Sequence, residues 1–402
     1  MTDKHITVDS IRWHSVLPCL HLLRAAQLAL RVRVLLLALL TVILFSAGRV
    51  AINSLPFVNP DGFGANFLVP DVERESVALR EVARFRPLPS IVPEESMVIW
   101  NGWPSPPAPG WLGWPLETVH APARELFRPN KSWVSLASAW TRLLWALLIW
   151  GTLGGAIIRM VAVRFARDES VPVGRAVASS ARLWQSHLYG PLLPLLGIGI
   201  LSLGIHTVGW LERGVGNSNG WVLLLLGWIP LILGFLMAAL LILTAISWPL
   251  MVAAISTEGS DGFDGLSRAF GYVMNRPWYL LWLVALACGV GLIMTSFVWW
   301  FFDIAGWLTG SILQLPHSGT AVWGEVQAAL RLAVLVSYFW SATTVIYFLL
   351  RQSDDGAPLD QVYIPGPPPK AEPLPLVGVA TSQQPVIERP VTEAGEAAAT
   401  QP

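Results

Sequence analysis

Residues 255–280, ISTEGSDGFDGLSRAFGYVMNRPWYL, lie between two long apolar blocks and contain a helix start, an amphipathic stretch and a stop. Asp261 and Asp264 have capping-pair spacing, so Asp261 is expected to accept from the exposed amides of the opening turn. Phe263, Leu266, Phe270 and Val273 recur at i, i+3, i+7 and i+10 and predict one apolar face. Asp264 and Arg268, four apart on the other face, form a pair worth roughly a few tenths of a kcal/mol when exposed. Asn275 is a candidate carboxy-terminal cap. Pro277 stops the helix, and Trp278 opens the next block at interface depth. The stretch reads as a capped helix over 261–275 held at a membrane surface between two spans. Its paired aspartates do not make a calcium loop, which needs ligands spread over about twelve residues and a closing Glu.

An earlier segment, ARDESVPVGRAVASSARLWQSHLYGPLLPLL (residues 166–196), has the same order of parts. Asp168, Glu169 and Ser170 supply the start, and Pro172 suits a first turn. Val173, Val177, Ala181 and Trp184 predict the apolar face, with Arg175 and Arg182 opposite. A surface helix is therefore expected near 171–186. With the flanking spans, the unit helix, surface helix, helix is expected twice, over 133–211 and 221–302. Such parallel repeats build transporters, and they build structural bundles equally well.

Composition sets the class. The chain is 54% hydrophobic and 13% charged, against about 25% charged in soluble domains. Its apolar residues are blocked into runs. After a basic amphipathic segment over 1–33, a first span is expected at 34–52, read as a retained signal-anchor with cleavage as the alternative. Further blocks run Trp133–Val163, Leu188–Leu211, Trp221–Ile255, Trp278–Phe302 and Ala328–Leu350. The fold class is thus an all-α integral membrane protein of about six spans, with a bundle over 133–351. Pro230 and Pro249 are kink candidates. The 53–132 insert is rich in Pro and Trp and holds one candidate helix at 73–85. Trp100, Trp103, Trp111 and Trp114 are expected to pack the insert onto the outer surface, since no convergent polar groups accompany the rings. Residues 352–402, with PGPPPK at 365–370, read as a disordered tail.

The connection 159–186 carries Arg159, Arg164, Arg167, Arg175 and Arg182 against Asp168 and Glu169. That bias places it, and by counting both termini, in the cytoplasm of a bacterial inner membrane. A net charge of zero and the lack of a basic stripe argue against nucleic acid. The expected partners are the lipid bilayer and cytoplasmic proteins met through the surface helices and tail.

Ionisable residues inside spans are functional candidates. Arg142 and His206 are the two that stand out, with acid from the insert or lipid phosphate as partner for Arg142. Asp303 and Arg331, at span ends, are expected to reach headgroups by snorkelling. Gly151 and Gly155 form a GxxxG spacing, and Gly289 lies on another small-residue face, both suited to close helix packing. Cys19 and Cys288 suggest no disulfide framework. No GxSxG, HExxH or CxxC is present, and the histidines lack ligand spacing; no catalytic, metal or cofactor residue is assigned.

Three segments, LHLLRAAQLALRVRVLLLALL (20–40), LGGAIIRMVAVRFARDE (153–169) and the 255–280 stretch, together resemble an uncharacterised family of bacterial multi-pass integral membrane proteins. The resemblance covers most of residues 18–351 and implies no activity, substrate or cofactor. A more distant likeness is to membrane domains fused to glycerophosphodiester phosphodiesterases, whose catalytic barrel has no counterpart in this sequence. The reading of function is a non-enzymatic scaffold or accessory subunit, with a small-solute or lipid transporter as the alternative.

Overall fold

A computed structural model describes residues 20–56, 58, 113–127, 132–214, 221–313, 317–363, 377–378 and 386–387. The expected helix at 73–85, Trp100, Trp103, Trp111, Cys19 and most of the tail lie outside the described residues. The chain divides into a body ending at Val362 and a unit beginning at Tyr363. Within the second unit, β1 (Val377–Gly378) pairs antiparallel with β2 (Val386–Ile387).

The body is all-α. Its helices are α1 (His21–Ala29), α2 (Val32–Asn53), α3 (Trp114–Leu126) and α4 (Trp133–Ile149), which runs through a π-helical turn (Trp150–Gly154) into α5 (Gly155–Arg167). Then follow α6 (Val173–Arg182), α7 (Trp184–Gly214), α8 (Trp221–Leu226), α9 (Trp228–Glu258), α10 (Gly262–Asn275), α11 (Pro277–Leu313) and α12 (His317–Asp355). Among the described residues six helices are long and apolar enough to cross a membrane: Val32–Asn53, Trp133–Arg167, Trp184–Gly214, Trp228–Glu258, Pro277–Gly306 and Val326–Asp355. The chain is a multi-pass membrane protein. Pro249 and the two prolines of α7, Pro191 and Pro194, are accommodated inside unbroken helices.

Two spans form the centre. The most apolar window is 94% buried in α12 and 89% buried in α4–α5, but only 6% in α9. An inner span needs no lipid-facing stripe, so α12 can carry hydroxyls: Ser337, Ser341, Thr344 and Tyr347 are all buried. Ser341 and Thr344 return their hydrogens to carbonyls one turn earlier, at 2.7 Å each. The outer spans cover this pair. α9 exposes its first half and buries its last turns, from Ser247 to Thr257.

The amino-terminal helix departs from expectation. Within the segment expected to be basic and amphipathic, α1 enters the bundle: it buries Leu22, Ala25, Leu28 and Ala29 and leaves Leu23 and Leu30 exposed. The small alanines allow a close approach to α12, where Ser337 Oγ donates to the Ala29 carbonyl at 2.6 Å. The insert also enters the core. Trp114, at the start of α3, packs edge-on against Phe45 and Trp150, and Trp150 Nε1 donates to Thr118 Oγ1 at 2.7 Å. Trp150 is midway along its span, so Trp114 reaches into the bundle and does not rest on its outer surface. Trp150, Trp340 and Trp248 continue as a buried ring series, with centroids 6.1 and 5.8 Å apart.

The connections after α5 and α9 are built alike. Each of these helices ends on a left-handed residue, Asp168 at φ 57° and Gly259 at φ 68°. Each connection then leads into a short helix, α6 or α10. Arg24 bonds Asp168 at 2.8 Å, Gly262 sits against Ser186, and Tyr272 bonds Asp355. These contacts gather α1, the end of α5, the start of α7, α10 and the end of α12 at one end of the bundle.

Candidate functional site at the end carrying the short helices

The short helices dock by their smallest residues. In α10 the buried positions are Gly262, Gly265, Ala269, Tyr272 and Val273, whereas Phe263 is 66% exposed. Of the expected face, Val273 is buried and Leu266 and Phe270 pack partly buried against the core, while Phe263 turns outward; the centre of the buried face is shifted by about one residue. Backbone proximity is the reason: a Cβ on Gly265 would come 2.6 Å from Ile255 Cγ1, and one on Gly262 would come 2.5 Å from the Ser186 carbonyl oxygen. Real Cβ atoms do not approach so closely, so glycine is required for this seating of α10 on α9 and α7. In α6 the buried residues are Ala176 and Ser180; of the expected face Val173 and Val177 pack partly buried against the core, while Ala181 and Trp184, the first residue of α7, are exposed.

Asp261 accepts from the Asp264 amide at 2.8 Å and caps α10. Arg268 Nε donates to both oxygens of Asp264 at 3.1 Å. Its Nη1 lies 2.5 Å from Glu258 Oε2, a partner the sequence reading left out. Glu258 is the hub of this end: it also accepts from Tyr347 Oη at 2.5 Å and lies 3.6 Å from Arg351 Nε. Asn275 does not act through its side chain as a cap. It donates to Asp354 at 3.1 Å, and the cap position falls to Arg276, whose guanidinium reaches the Ser353 carbonyl at 3.2 Å. Pro277 is the first residue of α11.

Burial works against the Arg268 charge. The bond to Asp264 and the charges of Glu258 and Asp264 outweigh it and hold the guanidinium above its ordinary value. Burial, followed by the bond to the Asp355 carboxylate, pushes the Tyr272 phenol above its ordinary value.

Two residues before Glu258 a second polar cluster begins. The Ser256 carbonyl accepts from Arg159 Nη1 at 3.0 Å, and its hydroxyl lies 3.5 Å from His187 Nε2. His187 is 1% exposed, and among the described residues its Nδ1 has no hydrogen-bond partner. Gly151 and Gly155 form the floor. A Cβ on Gly151 would meet His187 Cβ at 2.6 Å, and one on Gly155 would meet Ser180 Oγ at 2.5 Å and Ser256 Oγ at 2.7 Å. Ser180 Oγ donates to the carbonyl of Gly151, a residue of the π turn, at 3.1 Å. The GxxxG pair thus brings α6, α7 and α9 together within one chain.

Arg142 and His206 are not part of either cluster. Arg142 Nη2 donates to Asn53 Oδ1 at 3.1 Å, at the end of α2, while most acids of the insert, named as candidate partners, lie outside the described residues. His206 is exposed, with Nδ1 2.8 Å from the Ser202 carbonyl of its own helix. Gly289 is exposed and a Cβ there would meet nothing, which corrects its assignment as a packing residue. Asp303 and Arg331 pair with each other instead of snorkelling separately, and Arg331 lies over the rings of Trp299 and Phe302 at 5.7 and 5.9 Å.

The sequence held two usable signals for the residues missed. Glu258 ends an apolar block, and an acid there must find a cation. His187 lies in the first turn of α7, directly after the short helix α6. Among the described residues no group of His, Cys, Asp and Glu is placed to hold a metal. The chain matches no family model, no curated protein and no solved structure.

Proposed function

We propose that this protein is a non-enzymatic scaffold or accessory subunit of a bacterial inner-membrane assembly, with both termini and both short helices in the cytoplasm. The observation that carries this reading is how α10 is mounted. Glycine contacts and the Glu258 cluster hold it to α9 and α12, while Phe263 and Met274 stay 66% and 69% exposed. A helix held this firmly with large apolar side chains outward is a presented surface. The matching connection at α6 extends the idea to a duplicated unit.

A photo-crosslinking residue at Phe263 or Met274 in living cells tests the proposal. A discrete protein partner captured at both positions is expected. Capture of lipid alone, with the purified chain running as a monomer, sinks it.

A small-solute or lipid transporter is the second reading, favoured by the π turn beside the fully buried His187, since π bulges concentrate at functional sites. His187→Gln with normal assembly and a changed solute flux in proteoliposomes would favour it over the scaffold.

A further inference from the structure

A groove of about 410 Å³ opens at the end of the bundle that carries the short helices. Its walls are the corner between α1 and α2 (Arg31, Val32, Arg33, Val34), the last turns of α5 (Met160, Arg164), and Ser170 and Val171 of the following connection. We propose that this groove binds one anionic phospholipid, its phosphate held by Arg31 and Arg33 and an acyl chain laid along Val32, Val34, Met160 and Val171.

The charge balance carries the assignment. The acids beside the groove are Asp168 and Glu169. Asp168 is shared by Arg24 at 2.8 Å and Arg164 at 3.6 Å, so it is already engaged from two sides. Among the described residues Arg31 and Arg33 form no ion pair, and both are exposed at the first turn of a membrane span. The first turn of α2 contains no acid, and Arg31 makes no side-chain cap bond. Positive charge over an apolar floor at headgroup depth complements a phospholipid monoanion, and basic pockets between spans are suited to such headgroups. A zwitterionic lipid brings its own cation and gains less. A free phosphate has no use for the valine and methionine floor.

The test uses the purified full chain in detergent, analysed by native mass spectrometry with added phosphatidylglycerol, phosphatidylcholine or inorganic phosphate. One phosphatidylglycerol is expected to remain bound. Arg31→Gln with Arg33→Gln should weaken it about thirtyfold, at about 1 kcal/mol per basic residue near a membrane surface; Arg213→Gln, outside the groove, should not. Equal retention of phosphatidylcholine, competition by inorganic phosphate, or an equal loss in R213Q would overturn the site. A photoactivatable phosphatidylglycerol on the unaltered chain gives a readout independent of variant folding. Labelling should concentrate on 31–34 and 160–171, and uniform labelling of the spans refutes the proposal.

Discussion

Arg268 Nη1 lies 2.5 Å from Glu258 Oε2, across the short turn that separates α9 from α10. The same carboxylate takes the Tyr347 hydroxyl, so one acid joins the end of a span, a surface helix and the central helix. Glu258→Gln keeps the shape and removes the charge. Arg268 is 39% exposed and partly screened, so the expected loss is about 2–3 kcal/mol, below the 3–5 typical when a wholly buried pair is broken. Thermal unfolding in detergent measures it. A double-mutant cycle with Arg268→Gln should return a coupling energy, and simple additivity of the two losses would deny the pairing.

Glycine positions separate sharply. Gly151→Ala and Gly265→Ala insert a methyl where 2.6 Å is available, so each should destabilise by about 1–3 kcal/mol through overpacking. Gly289→Ala meets open space and gains helix propensity, so it should be neutral or stabilising by up to about 1 kcal/mol. Melting curves that rank Gly289→Ala with the other two would contradict the packing described.

Asp261→Ala should cost about 1 kcal/mol by removing the amino-terminal cap of α10, whereas Asp261→Asn should retain most of it. Amide hydrogen exchange in the first turn, at Phe263 and Asp264, is the local readout. Unchanged protection there would show that the cap contributes nothing.

The Tyr272 phenol is held protonated above its ordinary value of 10. A group whose folded value is raised contributes stability that is fully present below its unfolded value and lost as pH climbs toward the folded one. Stability should therefore fall as pH rises above about 10, and Tyr272→Phe should flatten that fall. Parallel alkaline slopes for the two proteins would assign the dependence to other groups.

Truncation locates the body's end. Arg351 donates to the Gln361 carbonyl at 3.0 Å and to its side chain at 3.3 Å, and Val362 is 7% exposed. A chain ending at Val362 should melt like the full protein. One ending at Gly356 should melt lower, by roughly 1–3 kcal/mol for the uncovered Arg351 and lost apolar contact. Equal melting of both would return the boundary to 352, where composition had placed it.

Composition and block length made the spans legible, because a bilayer demands long runs of apolar residues whatever they touch. The Asp261 cap was legible because its partner is three residues away. The centre of the buried face of α10 was not. Hydrophobicity points to Phe263, while the actual contact is set by how closely backbones approach, and that depends on Gly262 and Gly265 meeting Ser186 and Ile255. The central place of α12 was hidden for a related reason: lipid and protein interior are equally apolar, so hydropathy cannot rank one span as inner. Glu258 and His187 find their partners through pairings distant in sequence, which no local pattern encodes.

The bond from Ser337 to the Ala29 carbonyl joins residues 308 positions apart. Among the described residues helices α1 and α2 leave the ribosome first, yet the surface they pack on belongs to the last of the described spans. At about 5–20 residues per second, the alanine face of α1 waits roughly 15–60 s for its partner. During synthesis the first hairpin is thus an unfinished interface. A ribosome that stalls before α12 releases a chain whose spans are inserted but whose centre is missing, a clear signal for membrane quality control.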